Sequence, residues 1–146
     1  MIIPIHRKML YESKPLAIQI LSEFLAKTTE QDVPYFVISI TPLFCDDAEL
    51  KPSKNLMDVL RLKFNDVENG SSAISSDQAY QIKDFVLKNL EKGIHSCIIH
   101  CSAGISRSAG VGAAISKAIN GEDELFFEHY MPNLTCYKKV KKVFEK

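Results

Sequence analysis

Hydrophobic positions along this chain alternate between continuous apolar runs, the mark of a buried strand, and repeats three to four residues apart, the mark of a helix with one buried face. An apolar N-terminal strand is expected first. A helix near 14–27 follows, starting at Ser13 with Pro15 in its first turn and burying Leu16, Ile20, Leu21 and Phe24. Tyr35-Phe36-Val37-Ile38-Ser39-Ile40 reads as a strand, and after a loop holding Pro42 and Pro52 a second strand covers about Asp58 to Phe64. Ser75 with Gln78 three residues on is a capping box, so a helix is expected to about Lys92, with Ala79, Ile82, Phe85 and Val86 inward and Gly93 at its end. A strand over 94–100, a small-residue helix from about Ala109 and two closing helices complete the pattern, the last capped by Asn133 after Pro132. Strands alternating with helices predict an α/β fold: a central, mostly parallel sheet flanked by helices on both faces, with any site at a strand's C-terminal end.

Composition narrows this to one domain over 1–146. At 46% hydrophobic and 25% charged the chain is long enough for one real core, and it shows no repeat, linker or low-complexity tract. Formal net charge is zero, so no overall field recruits nucleic acid or a membrane surface. Four cysteines without regular spacing argue for a reducing compartment, and with no secretion leader or long apolar run in view the expected location is cytoplasmic. The run Lys138-Lys139-Val140-Lys141-Lys142 is read as the solvated face of a helix, because Tyr137, Val140, Val143 and Phe144 form an apolar stripe beside it.

The chemistry concentrates in His100-Cys101-Ser102-Ala103-Gly104-Ile105-Ser106-Arg107-Ser108. A thiol and a guanidinium stand six positions apart around a glycine loop that joins strand end to helix start. Free backbone N–H groups and the positive end of a helix dipole converge at such a junction, which suits an anion such as phosphate. The same field depresses the pKa of a cysteine at the loop's start, so that Cys101 is expected to react as a thiolate. Arg107 offers a planar fork for two phosphate oxygens at once. An ester oxygen also needs a proton as it leaves. The Asn/Gly-rich loop Asn65-Asp66-Val67-Glu68-Asn69-Gly70 follows a strand end and carries two carboxylates.

This block resembles the Cys-x5-Arg signature of the cysteine-dependent tyrosine and dual-specificity phosphatases, including the His before the Cys and the Ser after the Arg. Ile105-Ser106-Arg107-Ser108-Ala109 is most similar to the dual-specificity branch. The resemblance covers about residues 56–115 and, in its compactness, looks most like small bacterial or viral members. It implies a dual-specificity-phosphatase-like fold and hydrolysis of phosphate monoesters through a cysteinyl-phosphate, on phosphotyrosine and in some relatives phosphoserine or phosphothreonine of proteins. Cys101 would be the nucleophile, and Arg107 with the loop backbone of Ser102, Ala103, Gly104, Ile105 and Ser106 the phosphate cradle. Asp66, thirty-odd residues upstream of the Cys as in relatives, matches the general acid, with Glu68 in reserve. Ser108 would donate to the Cys101 sulfur, and His100 would support the loop from behind. No metal or other cofactor is implied.

Blander readings stand beside these. Asp66 suits an Asn/Gly-rich turn, Ser108 suits a helix cap, and a strand-end His is usually a satisfied core group. Cys97, His100 and Cys101 could suggest metal ligands, but strand alternation separates neighbours and no second ligand pair follows at zinc-like spacing. Cys97 is a buried strand residue or a resolving thiol for Cys101. The chain contains no Trp, so the Trp-Pro-Asp loop of the tyrosine-specific branch is absent and a shallow pocket is implied. A loop interior without Lys is unlike inositol-lipid phosphatases, and no basic groove suggests an RNA 5′-phosphatase. A phospho-binding module with little turnover is the alternative from another class; intact Cys101, Arg107 and Ser108 favour the enzyme.

Overall fold

The computed structural model describes residues 14–146, so the expected N-terminal strand, and Ser13 at the expected helix start, lie outside the described residues. Strands β2 (Tyr35–Thr41) and β4 (Ser96–Cys101) are buried at every position, as suits mostly apolar strands covered on both faces. They pair in parallel at the centre of a four-stranded sheet. Strand β1 (Ala17–Ser22) adds beside β4 and β3 (Leu56–Lys63) beside β2, all parallel, in the order β1-β4-β2-β3. Every C-terminal strand end therefore opens on the same edge of the sheet.

The helix expected over 14–27 is a strand followed by one short helical turn, α1 (Glu23–Ala26). Leu16, Ile20 and Phe24 repeat at helical spacing, but Leu16, Ile18 and Ile20 also alternate, so periodicity alone is ambiguous here. The backbone decides: β4 offers an edge and takes this segment in register from Ala17↔Ser96 to Ser22↔Cys101. Leu16, Ile20 and Leu21 are buried as expected, whereas Phe24 falls on α1 and is 74% exposed.

Four helices appear where their sequences predict. Helix α2 (Ser76–Glu91) opens on the Ser75–Gln78 capping box, buries Ala79, Ile82, Phe85 and Val86, and is followed by Gly93 at φ +82°. Gln78 also donates from Nε2 to the Lys63 carbonyl (3.0 Å), which fixes the helix start to the end of β3. Helix α3 (Arg107–Asn120) runs from the glycine loop through the core, and helices α4 (Glu124–His129) and α5 (Leu134–Phe144) close the chain. Asn133 caps α5 by accepting the Cys136 N–H at 3.0 Å. The small residues of α3 permit close approach. A Cβ on Gly110 would stand 2.5 Å from the Asn133 carbonyl oxygen, so α3 lies against the start of α5.

The main core, including Ile38, Ile82, Ile99, Val111, Ile115 and Val140, fills the space between one face of the sheet and α2, α3 and α5. The other face is thinner than expected. Leu21, Tyr35, Val37 and Ile98 are covered there by Leu50 from the β2–β3 connection, Leu56 at the start of β3 and Ala26 of α1. The fold is thus α/β with parallel strands, but its long helices gather on one side. No helix among the described residues is long and apolar enough to cross a membrane.

Candidate active site

Cys101 ends β4, and the chain turns back through 102–106 before α3 begins at Arg107. Gly104 makes this turn possible. It has φ +72°, and a Cβ there would lie 2.5 Å from the Ser22 nitrogen and 2.6 Å from the Leu21 carbonyl carbon. The loop therefore rests on the end of β1, and the Glu23 N–H donates to the Ser102 carbonyl (3.1 Å) to hold it there.

The Cys101 sulfur is buried yet surrounded by donors. Ser108 Oγ lies 3.1 Å from Sγ, and the Gly104 N–H donates to Sγ at 3.3 Å. Burial is the largest influence on this thiol and pulls its pKa up; the Ser108 hydroxyl with the N–H groups of Ser108, Gly104 and Ile105 outweighs it, and the net direction is down. At Cys97 burial alone acts and pushes the thiol up, and at Cys136 burial, with the Asp66 charge, outweighs Arg107 and the residue's own N–H and pushes the thiol up to about 12. The one thiol held low is thus the one at the head of the glycine loop. Replacing Ser108 with Ala removes one of these donors, so the midpoint of the iodoacetamide alkylation rate at Cys101, followed by peptide mass mapping against the exposed Cys45, moves to higher pH. Because the thiolate is the reacting form, wild-type alkylation persists to lower pH than the variant's; superimposable profiles would assign Ser108 to packing alone.

Arg107 is 6% exposed and extends across the loop. Its NH1 donates to the Phe64 carbonyl (2.9 Å) and its NH2 to Ser102 Oγ (3.0 Å), while Nε is buried without an acceptor among the described residues. The guanidinium thus links the glycine loop to the end of β3, from which the Asp66 loop departs. Among the described residues the backbone N–H groups of Ala103, Ser106 and Arg107 also donate to no protein acceptor.

Asp66 reaches the same cleft. Its Oδ1 accepts from Ser106 Oγ (2.8 Å) and from Asn133 Nδ2 (2.9 Å). Glu68 also lines the cleft, and its backbone carbonyl accepts from Thr135 Oγ1 at 2.8 Å. His100 is fully buried behind the loop, with Nε2 2.6 Å from Ser39 Oγ and Nδ1 3.3 Å from the Cys101 carbonyl. Burial pulls its pKa down, so it stands as a neutral bridge between β2 and β4. Ser108 does not cap α3: the cap position is Ser106, whose hydroxyl turns to Asp66 instead.

Side chains 97, 99 and 101 share one face of β4, with Ile98 on the other. Four residues of extended strand span about 13 Å. A disulfide needs Cα atoms within about 7 Å, so Cys97 is a core residue and no partner for Cys101 in this fold. Among the described residues no group of three or more His, Cys, Asp or Glu side chains is placed to hold a metal ion.

The cleft over Cys101 encloses about 770 Å³. Beside Ile105 of the glycine loop, its outer wall is made by Phe127 of α4, Tyr130 and Met131 of the α4–α5 connection and Leu134 of α5, which sequence reasoning did not find. Ile105, Phe127, Met131 and Leu134 are all exposed. Among the described residues Arg107 is the one basic residue lining this cleft, against two carboxylates, Asp66 and Glu68.

The parallel sheet with a glycine loop leaving the end of β4 has the fold of solved dual-specificity and tyrosine phosphatases. No protein-family model matches the chain and no curated protein matches it, but solved structures do. Human DUSP28 is similar with a TM-score of 0.61 at 17% identity, over 88% of this chain and 91% of that one. PTPMT1 in complex with PI(5)P gives 0.55 at 16% identity, over 88% and 90%. The human tyrosine phosphatase-like serine/threonine/tyrosine-interacting protein gives 0.52 at 22% identity, over 75% and 76%.

Proposed function

We propose that the protein is a cysteine-dependent phosphatase that hydrolyses phosphate monoesters, with phosphotyrosine on proteins as its main substrate and phosphoserine or phosphothreonine as lesser ones. The observation that carries this reading is the placement of Cys101 Sγ 3.1 Å from Ser108 Oγ and 3.3 Å from the Gly104 N–H, within a cleft that Arg107 and Asp66 also line.

In the first step the Cys101 thiolate attacks phosphorus, the ester P–O bond breaks, and Asp66 protonates the departing oxygen. In the second, water attacks the cysteinyl-phosphate and gives a proton to the Asp66 carboxylate. The P–S bond then breaks, releasing inorganic phosphate and returning the thiolate, which the Ser108 hydroxyl stabilises. Arg107 Nε and the unpaired N–H groups of Ala103, Ser106 and Arg107 are donors for the equatorial oxygens, the electrostatic work that dominates phosphoryl transfer. No step calls on a metal.

The cleft supports a singly phosphorylated ester over a polyanion. Among the described residues one cation and two carboxylates line it, so an inositol polyphosphate or an RNA 5′ end would gain little from these walls and meet repulsion from Asp66 and Glu68. Exposed Phe127, Met131 and Leu134 suit the apolar body of a tyrosine and the residues flanking it. The similarity to PTPMT1 in complex with PI(5)P makes a phosphoinositide the comparison substrate to include.

The test is hydrolysis, in chelator, of a small aryl phosphate, a phosphotyrosine peptide, a phosphoserine peptide and a phosphoinositide, with wild type and Cys101→Ser. Wild-type turnover that favours the phosphotyrosine peptide and falls at least about 10⁴-fold in Cys101→Ser is the expected result. A protein that binds vanadate but turns over none of the four would instead be a phospho-binding module.

A further inference from the structure

Asn133 is legible in the sequence only as the cap of the last helix, yet its side chain makes more connections than a cap requires. It is 6% exposed. Its Oδ1 accepts the Cys136 N–H (3.0 Å), its backbone N–H donates to the Ser106 carbonyl (2.9 Å), and its Nδ2 donates to Asp66 Oδ1 (2.9 Å) and to the Val67 carbonyl (3.2 Å). The amide orientation follows from these partners, since the flipped form would set a carbonyl oxygen against the Asp66 carboxylate and an NH2 against a backbone N–H. One residue thus joins helix α5, the glycine loop and the Asp66 loop.

A general acid works only when its proton lies within hydrogen-bond reach of the leaving oxygen, and displacement by an ångström costs up to about 100-fold. Asp66 sits in a loop whose base Asn65 ties down, its Oδ1 accepting the Leu43 N–H (3.0 Å) and its backbone N–H donating to the Ser72 carbonyl (2.7 Å), but neither contact orients the Asp66 carboxyl itself. The Ser106 hydroxyl and the Asn133 amide both occupy Oδ1, and among the described residues no hydrogen bond or ion pair engages Oδ2. A carboxyl oxygen that already accepts two hydrogen bonds is the poorer place for a proton, so the acid step would use Oδ2.

We infer that Asn133 is a positioning residue for the acid step: its amide holds the Asp66 carboxyl by Oδ1 so that Oδ2 presents its proton to the leaving group. This rests on the phosphatase reading proposed above. The second donation, to the Val67 carbonyl, fixes the backbone beside Asp66. The link to the Ser106 carbonyl places the acid in register with the cradle.

Leaving-group dependence separates this role from a structural one. Phenyl phosphate needs a proton donor, whereas 2,4-dinitrophenyl phosphate leaves almost unaided. Asn133→Ser keeps an oxygen to cap α5 but loses both amide donations. Its kcat/KM for phenyl phosphate is expected to fall about 30-fold, and the ratio of kcat/KM between the dinitrophenyl and phenyl esters to rise at least about tenfold. Asp66→Asn should raise that ratio further, and the double variant should resemble Asp66→Asn alone, because the two residues act through one proton. Asn133→Asp, which retains the cap acceptor and the side-chain shape, should raise the ratio as well and keeps the test open should the serine variant fold poorly. Equal losses on both esters, or losses that multiply in the double variant, would overturn the assignment and leave Asn133 as a structural cap. A wild type that hydrolyses neither ester overturns the phosphatase reading itself, and this inference with it.

Discussion

Arg107→Lys is expected to lower kcat/KM for phenyl phosphate by about 10³-fold, or about 4 kcal/mol, and to weaken vanadate binding in parallel. The guanidinium has three directions in use or on offer: NH1 to the Phe64 carbonyl, NH2 to Ser102 Oγ, and a buried Nε without an acceptor among the described residues. A lysine ammonium is a point charge that cannot keep this fork. It keeps the positive charge but loses two-point contact with phosphate and the tie between the loop and the end of β3. Steady-state kinetics and vanadate inhibition constants measure both. A loss below tenfold would make Arg107 a charge-balancing side chain rather than the holder of the equatorial oxygens.

Gly104→Ala carries the second large effect. The added methyl would meet main-chain atoms of Leu21 and Ser22 at 2.5–2.8 Å, where nothing flexible gives way, and alanine at φ +72° costs a further ~1 kcal/mol or more. The loop must lift from β1, which withdraws the Gly104 N–H from Cys101 Sγ. We expect about 2–4 kcal/mol of destabilisation, a Tm lower by roughly 5–15 °C, and at least ~100-fold less activity in the fraction that stays folded. Calorimetry and single-temperature kinetics separate the two losses. An alanine variant with wild-type Tm would mean that the loop rests on β1 less tightly than these distances require.

The parts of the site that depend on neighbours along the chain are legible in the amino-acid sequence alone. The apolar run into Cys101, the glycine turn, the small-residue helix behind it and the Ser75–Gln78 box are local patterns, and each appears at its expected place. Asp66 is reached through spacing and resemblance, and the fold brings it to the cleft that Cys101 lines. What sequence does not show is partnership at a distance. Nothing near Asn133 reveals that its amide reaches Asp66, 67 residues away, or that Ser106 turns from its own helix toward the same carboxylate. The misassigned helix over 14–27 has the same origin. Leu16, Ile18 and Ile20 satisfy either period, and the edge of β4 that settles the matter belongs to a strand nearly eighty residues later.

The parallel order β1-β4-β2-β3 has a consequence for the birth of the molecule. No neighbouring strands of this sheet can be joined by a hairpin, so each pairing waits for a long stretch of intervening chain, and such contacts form slowly. A nascent chain released as far as Arg107 already carries Cys101, the glycine loop and Asp66. It still lacks α3, α5 and Asn133, which join the Asp66 loop to the glycine loop. Synthesis therefore delivers Cys101 before Ser108, whose hydroxyl and N–H help to hold its thiol low, and the Asp66 carboxyl gains its Asn133 partner only with the last helix.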